Sequence, residues 1–292
     1  MHPLIAFLSF IFSPTDDWAL KRAYELALLP TQIHRTVENQ HDLNKRYPSP
    51  VADPIAMSQW SDILESVEEN KDAEDLRNSL LKSASLPAEF ADGIRLKLAE
   101  QNLKLGETKK ARQHLKVIVK NNSSKSHEAQ IDLLLCAIHE KNKAQIKRAS
   151  DQVLEIFKNI PYSTRAHWAL GLAYLGSEEN DKAAEHFSKI EDSKAQYFLG
   201  IAERRLNHPQ KALAAWQSIE QKDPRSAWAD YARYQIAETY FALGDNLLCR
   251  ATINHAIQEN PENPNTDYYS FRLATLDIRQ ENFQSALAHL KE

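Results

Sequence analysis

The 292-residue sequence predicts an all-α fold, an array of stacked helix pairs, and three observations carry that prediction. First, six small residues are each followed by another small residue twelve positions later. The pairs are Ala99 and Ala111, Ala137 and Ala149, Gly171 and Ala183, Gly200 and Ala212, Ala237 and Cys249, and Ala274 and Ala286. Second, every pair sits in one apolar frame. Leu98, Cys136, Leu170, Leu199, Ile236 and Leu273 precede the first members; Leu115, Val153, Phe187, Trp216, Ile253 and Leu290 stand four residues after the second. Third, the chain has only six glycines, whereas barrels, sandwiches and phosphate-cradling loops need Gly at tight turns. Two helices that cross closely need a small side chain on each at the crossing. Apolar residues three, four and seven apart around it then bury one stripe per helix.

The elements follow in order. Residues 1–13 form an apolar N-terminal segment. Its core, residues 4–12 (LIAFLSFIF), is too short to span a bilayer as a helix. The length suits the apolar region of an export signal, but the usual basic residues before it and an Ala-x-Ala site after it are missing. Two readings stay open: an exported, periplasmic protein, or a cytoplasmic one in which this segment is a first helix. Residues 14–89 read as atypical N-terminal helices, 17–29 with 30–45 and 57–67 with 72–82, separated by a Pro-rich linker at 47–54. Ser61 and Ala73 keep the twelve-residue spacing, with Arg77 where a bulky apolar residue belongs. Such helices are expected to cap an array.

Residues 90–292 read as six helix pairs. Turn-forming residues lie between the paired positions: Leu105-Gly106-Glu107, Gly176-Ser177, Asn207-His208-Pro209 and Leu243-Gly244-Asp245. Pro161, Pro224 and Pro261 stand at junctions where a next helix starts. The second-helix positions are separated by 38 (111 to 149), 34, 29 (183 to 212), 37 and 37 residues. The unit after Ile190 has therefore lost about a turn and a half, and a change of pitch is expected at 191–195. The last unit has no polar capping helix after it. Ala286, Leu287 and Leu290 are expected to be exposed and to offer a surface for association at this uncapped C-terminal end.

Composition narrows the function. The formal net charge of −4 gives no basic excess for nucleic acid. The two cysteines, Cys136 and Cys249, form no Cys-x-x-Cys pair and are expected to be free thiols in the core. His139-Glu140 lacks the second His of a helical zinc motif, and no phosphate loop or nucleophile elbow appears. No metal site, no cofactor and no catalytic set are expected.

The repeated pattern resembles the tetratricopeptide repeat, a helix-turn-helix unit of about 34 residues. Trp168-Ala-Leu-Gly-Leu-Ala-Tyr174, followed by Ala183 and Phe187, is the best single match. Arg233-Tyr-Gln-Ile-Ala-Glu-Thr-Tyr240, followed by Gly244-Asp245, Ala256 and Pro261, is the next. The resemblance covers about residues 90 to 292 and implies a right-handed superhelix, an α-solenoid, whose first helices line a concave groove. It also implies a scaffold or adaptor that binds a protein or peptide segment, not an enzyme. The Ala-rich stretch 227–244 is loosely similar to bacterial cell-envelope proteins of this family. Two alternatives remain: a cytoplasmic regulatory or assembly subunit, and a helical-repeat platform of an enzyme.

The residue three before each first-helix small residue is implied to face the groove. It is Leu96 and Leu134 in the early units, then Trp168, Tyr197, Tyr234 and Phe271. One turn earlier stand Arg165, Lys194, Tyr231 and Tyr268; Glu238 and Arg204 lie one and two turns later. Aromatics bury much area at low entropy cost and Arg pairs with carboxylates, so this strip is the candidate partner site. Basic groups at one end are expected to meet carboxylates of the partner, and Glu238 a basic residue. Relatives that grip a C-terminal carboxylate use Lys and Asn where this chain has rings and Leu172, Ile201, Glu238 or Thr275, so that clamp is not implied. Neither nucleic acid nor a small-molecule substrate is expected.

Overall fold

The computed structural model describes residues 54–66, 69–82, 86–261 and 265–291. The apolar segment 1–13, the helices expected at 17–45 and most of the linker at 47–54 lie outside the described residues; Pro54 opens a helix. Among the described residues there are fourteen helices and no strand. No described helix is long and apolar enough to cross a membrane. The chain divides into two compact units at His139 and Glu140.

The first unit contains α1 (Pro54–Ser66), α2 (Asn70–Leu81), α3 (Ala88–Lys104), α4 (Thr108–Asn121) and α5 (Ser126–His139), each packed on the helix before it. Ala99, Ala111, Leu115 and Ile118 are fully buried in one cluster with Leu96 and Cys136. Arg77, on α2, is buried as the apolar residue it replaces would be. Its Nη2 pairs with Asp62 and Glu65, both at 2.8 Å, its Nε donates to Ser61 Oγ at 3.0 Å, and its Nη1 donates to Gln101 Oε1 at 2.9 Å. A guanidinium out of water is tolerated where its donors are met by carboxylates and hydroxyls. Burial alone would raise Glu65, but Lys104 and Arg77 hold it net below the usual carboxylate range.

The second unit contains α6 (Lys143–Ile156), α7 (Thr164–Gly176), α8 (Asn180–Phe187), α9 (Ser193–Arg205) and α10 (Pro209–Lys222). It continues with α11 (Ala227–Ala242), α12 (Asn246–Glu259), α13 (Thr266–Arg279) and α14 (Phe283–His289). Sequence neighbours pack throughout. At two crossings the first member is Gly rather than Ala because a ring occupies the space. A Cβ on Gly171 would fall 2.7 Å from Phe187 Cε1, and one on Gly200 2.7 Å from Trp216 Cδ1. Trp216 is fully buried, and its Nε1 donates to the Tyr197 carbonyl at 3.1 Å. The residues missing from the 29-residue interval are missing from α8, which has 8 residues where α6, α10 and α12 have 14.

The turns show a regularity that composition hides. In five units the residue seven after the first small residue has positive φ: Gly106 (76°), Glu178 (64°), Asn207 (60°), Gly244 (77°) and Glu281 (59°). The next residue is the N-cap of the second helix, and the left-handed residue reverses the chain. The unit of Ala137 and Ala149 departs. Its left-handed residue is Lys141 (φ 53°), only four after Ala137, and the Asn142 side chain caps α6 by accepting from Gln145 N at 3.1 Å. Ala137 and Ala149 are both buried, so the twelve-residue count finds core positions there, but it does not locate the turn.

Two further expectations are settled locally. Ala286 is buried on the side of α14 that packs on α13, whereas Leu287 and Leu290 are 54% and 56% exposed. Exposure at this end thus spares the crossing residue. Both cysteines are buried free thiols, and burial pushes Cys249 up to about 11.

Candidate functional site

Helices α7, α9, α11 and α13 are the first helices of the last four pairs. Three begin at side-chain caps: Ser163 accepts from Ala166 N (3.1 Å), Asp192 from Ala195 N (2.6 Å) and Ser226 from Ala229 N (3.2 Å). Caps fix where a helix starts and hence which residues share a face. Trp168, Tyr197, Tyr234 and Phe271 fall at one offset from their crossing residues; Trp168 reaches the next first helix at Phe198, Tyr197 at Trp228 and Tyr231, and Tyr234 at Tyr268.

At the α7 end, Trp168 is half-buried, with its ring set against Phe187 (5.7 Å) and Phe198 (5.4 Å). The exposed Lys194 places Nζ 4.2 Å from the centre of the same ring. Arg165 is half-buried at the start of α7. In the middle, Tyr197 lies against Trp228 (5.5 Å) and Tyr231 (6.1 Å). Its hydroxyl accepts from Gln235 Nε2 at 3.1 Å, and Gln235 Oε1 accepts from Arg204 Nη1 at 2.6 Å. At the α13 end, the Tyr234 and Tyr268 rings meet edge to face at 4.4 Å. The Tyr268 hydroxyl donates to Glu238 and accepts from Arg272 Nε at 3.0 Å, while Arg272 Nη2 pairs with Glu238 at 2.5 Å. The guanidinium groups of Arg272 and Arg279 lie 3.8 and 4.0 Å from the centre of Phe241.

Burial and the hydrogen bond to Glu238 raise the Tyr268 hydroxyl far above its ordinary range. Burial works against the Arg272 charge, but Tyr268 and Glu238 more than offset it. Among the candidate residues the most open rings are Phe271, 57% exposed, and Tyr231, 46% exposed. Leu96 and Leu134, at the matching offset in the first unit, are buried.

Phe198, Trp228, Gln235, Phe241, Arg272 and Arg279, which sequence reasoning missed, touch the residues it singled out or one another. Arg272 follows Tyr268 by four residues, a spacing that places two side chains together on a helix, and this was the available signal. Between α7 and α8, His167 and His186 bring their Nδ1 atoms within 2.9 Å, with Tyr162 and Tyr174 against the rings. Burial lowers the pKa of both; Lys189 adds to the effect at His167, and His167 at His186.

Comparison with known proteins gives a consistent result. Residues 195–292 match the family model for a tetratricopeptide repeat-like domain, and residues 95–124 that for a tetratricopeptide repeat. No curated protein matches the sequence. A tetratricopeptide repeat protein from Parabacteroides merdae superposes with a TM-score of 0.60 at 14% identity, covering 92% of this chain and 97% of that one. The C-terminal part of a repeat-containing protein from Cytophaga hutchinsonii gives 0.54 at 13% identity, covering 89% and 96%. The pilF protein of Pseudomonas aeruginosa gives 0.54 at 13% identity, covering 68% and 88%. At these identities the likeness is one of fold.

Proposed function

We propose that the chain is a protein–protein interaction scaffold, a reading supported by the match of residues 195–292 and 95–124 to tetratricopeptide repeat models. It holds a segment of a partner protein along the first-helix face of residues 164–280. Repeat arrays of this kind present extended surfaces for other proteins. The observation that carries the placement is the exposure of Phe271 and Tyr231 in line with the packed rings of Trp168, Tyr197 and Tyr234. Large apolar surface left open in a strip marks a place that another molecule covers. This reading assigns the chain a holding role and no reaction. A setting in bacterial cell-envelope assembly belongs to the same proposal. It rests on the Ala-rich unit at 227–244 and is tested by whether the protein fractionates with the envelope.

Phe271 and Tyr231 are the sharpest probes because they are exposed, whereas Trp168 and Tyr234 are half-buried against Phe187, Phe198 and Tyr268 and their removal would cost more stability. Affinity purification with Phe271→Ala and Tyr231→Ala should lower partner recovery, and titration of the recovered partner should show at least about tenfold weaker binding. Circular dichroism should be unchanged. Two folded variants that bind their partners like the parent would place the binding surface elsewhere.

A further inference from the structure

The chain carries a formal net charge of −4, but the first-helix strip has the opposite sign once its internal pair is set aside. Glu238 is held by Arg272 at 2.5 Å and by the Tyr268 hydroxyl. It is therefore neutralised from within and has little charge to offer a basic group of a partner. The cations of the strip are different. Lys194 lies over Trp168, Arg204 donates to the amide oxygen of Gln235, and Arg279 lies over Phe241. Among the described residues none of the three has a carboxylate within ion-pair distance. A cation resting on a ring or an amide keeps its full charge and its outward N–H donors.

We propose that the occupant of this strip is an acidic peptide segment. Its Asp or Glu side chains meet Lys194, Arg204 and Arg279, and its apolar side chains cover Tyr231 and Phe271. The inference rests on the reading of this face as the binding surface and adds the chemistry of the partner. Lys194 and Arg204 stand ten residues apart on α9, about 15 Å at helical rise. Carboxylates about five residues apart in an extended segment span that distance. Arg presents a planar fork that takes a carboxylate through two N–H bonds.

Single-stranded nucleic acid also binds to rings flanked by cations, but its bases need open ring faces. Here Lys194 lies on Trp168 and two guanidiniums on Phe241, and Tyr234 is packed edge to face with Tyr268. The faces of Trp168 and Phe241 are taken, which leaves Tyr231 and Phe271 open but no continuous run of stacking faces, and the cations are left to read carboxylates.

The test pans a display library of random twelve-residue peptides against the full chain. Enriched peptides are then titrated by fluorescence anisotropy at two salt concentrations, with oligouridine as a competing probe. The expected peptides are rich in Asp and Glu and bind more weakly at high salt. Arg204→Gln and Arg279→Gln should each weaken them about tenfold. Glu238→Gln, which keeps the hydrogen-bonding shape but frees the Arg272 charge, should tighten them about two- to fivefold. Enrichment of neutral or basic peptides, or weaker binding by Glu238→Gln, overturns the acidic inference; the binding face survives if Phe271→Ala still abolishes capture. Peptides indifferent to Phe271→Ala, or no enrichment at all, overturn both. Oligouridine that binds tighter than the peptides and displaces them also overturns the inference, in favour of nucleic acid.

Discussion

Replacing Gly200 by Ala should destabilise the second unit even though Ala is the better helix former. A Cβ at position 200 falls 2.7 Å from Trp216 Cδ1 and closer still to Nε1 and Cε2, so the indole has to move. Trp216 is fully buried, and moving it also strains the bond from Nε1 to the Tyr197 carbonyl. Overpacking of this kind costs about 1–3 kcal/mol and the hydrogen bond about 1 kcal/mol. The helix propensity gained is up to about 1 kcal/mol, so the net loss is about 1–3 kcal/mol. Urea titration followed by tryptophan fluorescence and by circular dichroism measures it. Two companions sharpen the reasoning. Gly200→Ala with Trp216→Leu reproduces the Ala99 and Leu115 pairing of the first unit and should recover part of the loss. Gly93→Ala, in α3 with nothing within 4 Å of its Cβ, should instead stabilise by up to about 1 kcal/mol. If Gly200→Ala is as stable as the parent, the crossing is looser than described and the steric account of the small-residue pairs fails.

Other substitutions probe the turns, the buried charge and the histidine pair. Glu178→Gly removes the strain of a non-glycine residue at φ 64° and should raise the denaturation midpoint modestly, by roughly 0.5 kcal/mol after the entropy cost of Gly; a lower midpoint would refute it. Arg77→Ala leaves Ser61 and Gln101 without their buried partner and should cost about 2 kcal/mol or more, whereas Arg77→Met should recover much of this by filling the space; hydrogen exchange of α1 and α2 reports both. His167 and His186 have lowered pKa values in the folded chain, so the unfolded chain binds more protons as the pH falls below about 6.5. Their contribution to stability is full above that pH and declines as the pH drops toward the lowered folded values. Replacing both by Gln should flatten the stability profile as the pH falls below about 6.5, and an unchanged slope would rule out the pair as its source.

The sequence discloses this fold where sterics act at short range. A crossing needs small residues and helical apolar spacing needs no partner to be recognised, so Ala99 with Ala111 and Gly200 with Ala212 are legible without coordinates. The unit of Ala137 shows the limit. A spacing counts residues but does not locate the turn, and Lys141 turns the chain three residues early. Charged pairs were legible least of all. Glu238 meets Arg272, 34 residues later and one unit on, and Arg77 meets carboxylates on the preceding helix. In each case the face was evident from the sequence but the partner depended on side-chain reach. For the same reason the sequence shows the aromatic and basic residues proposed for the strip, but not that Glu238 among them is paired with Arg272.

The junction of α6 with α7 has a mechanical consequence. In a linear stack, load passes from each layer to the next, and resistance at any level depends on the contacts made there. Within the second unit α6 touches α7 far more sparsely than α7 touches α8 or α8 touches α9, so this unit is most compliant there. Under tension, α6 should part from α7 before the later layers open, and the break would leave the face from α7 to α13 whole. A partner pulling on that strip would stretch its holder before being released.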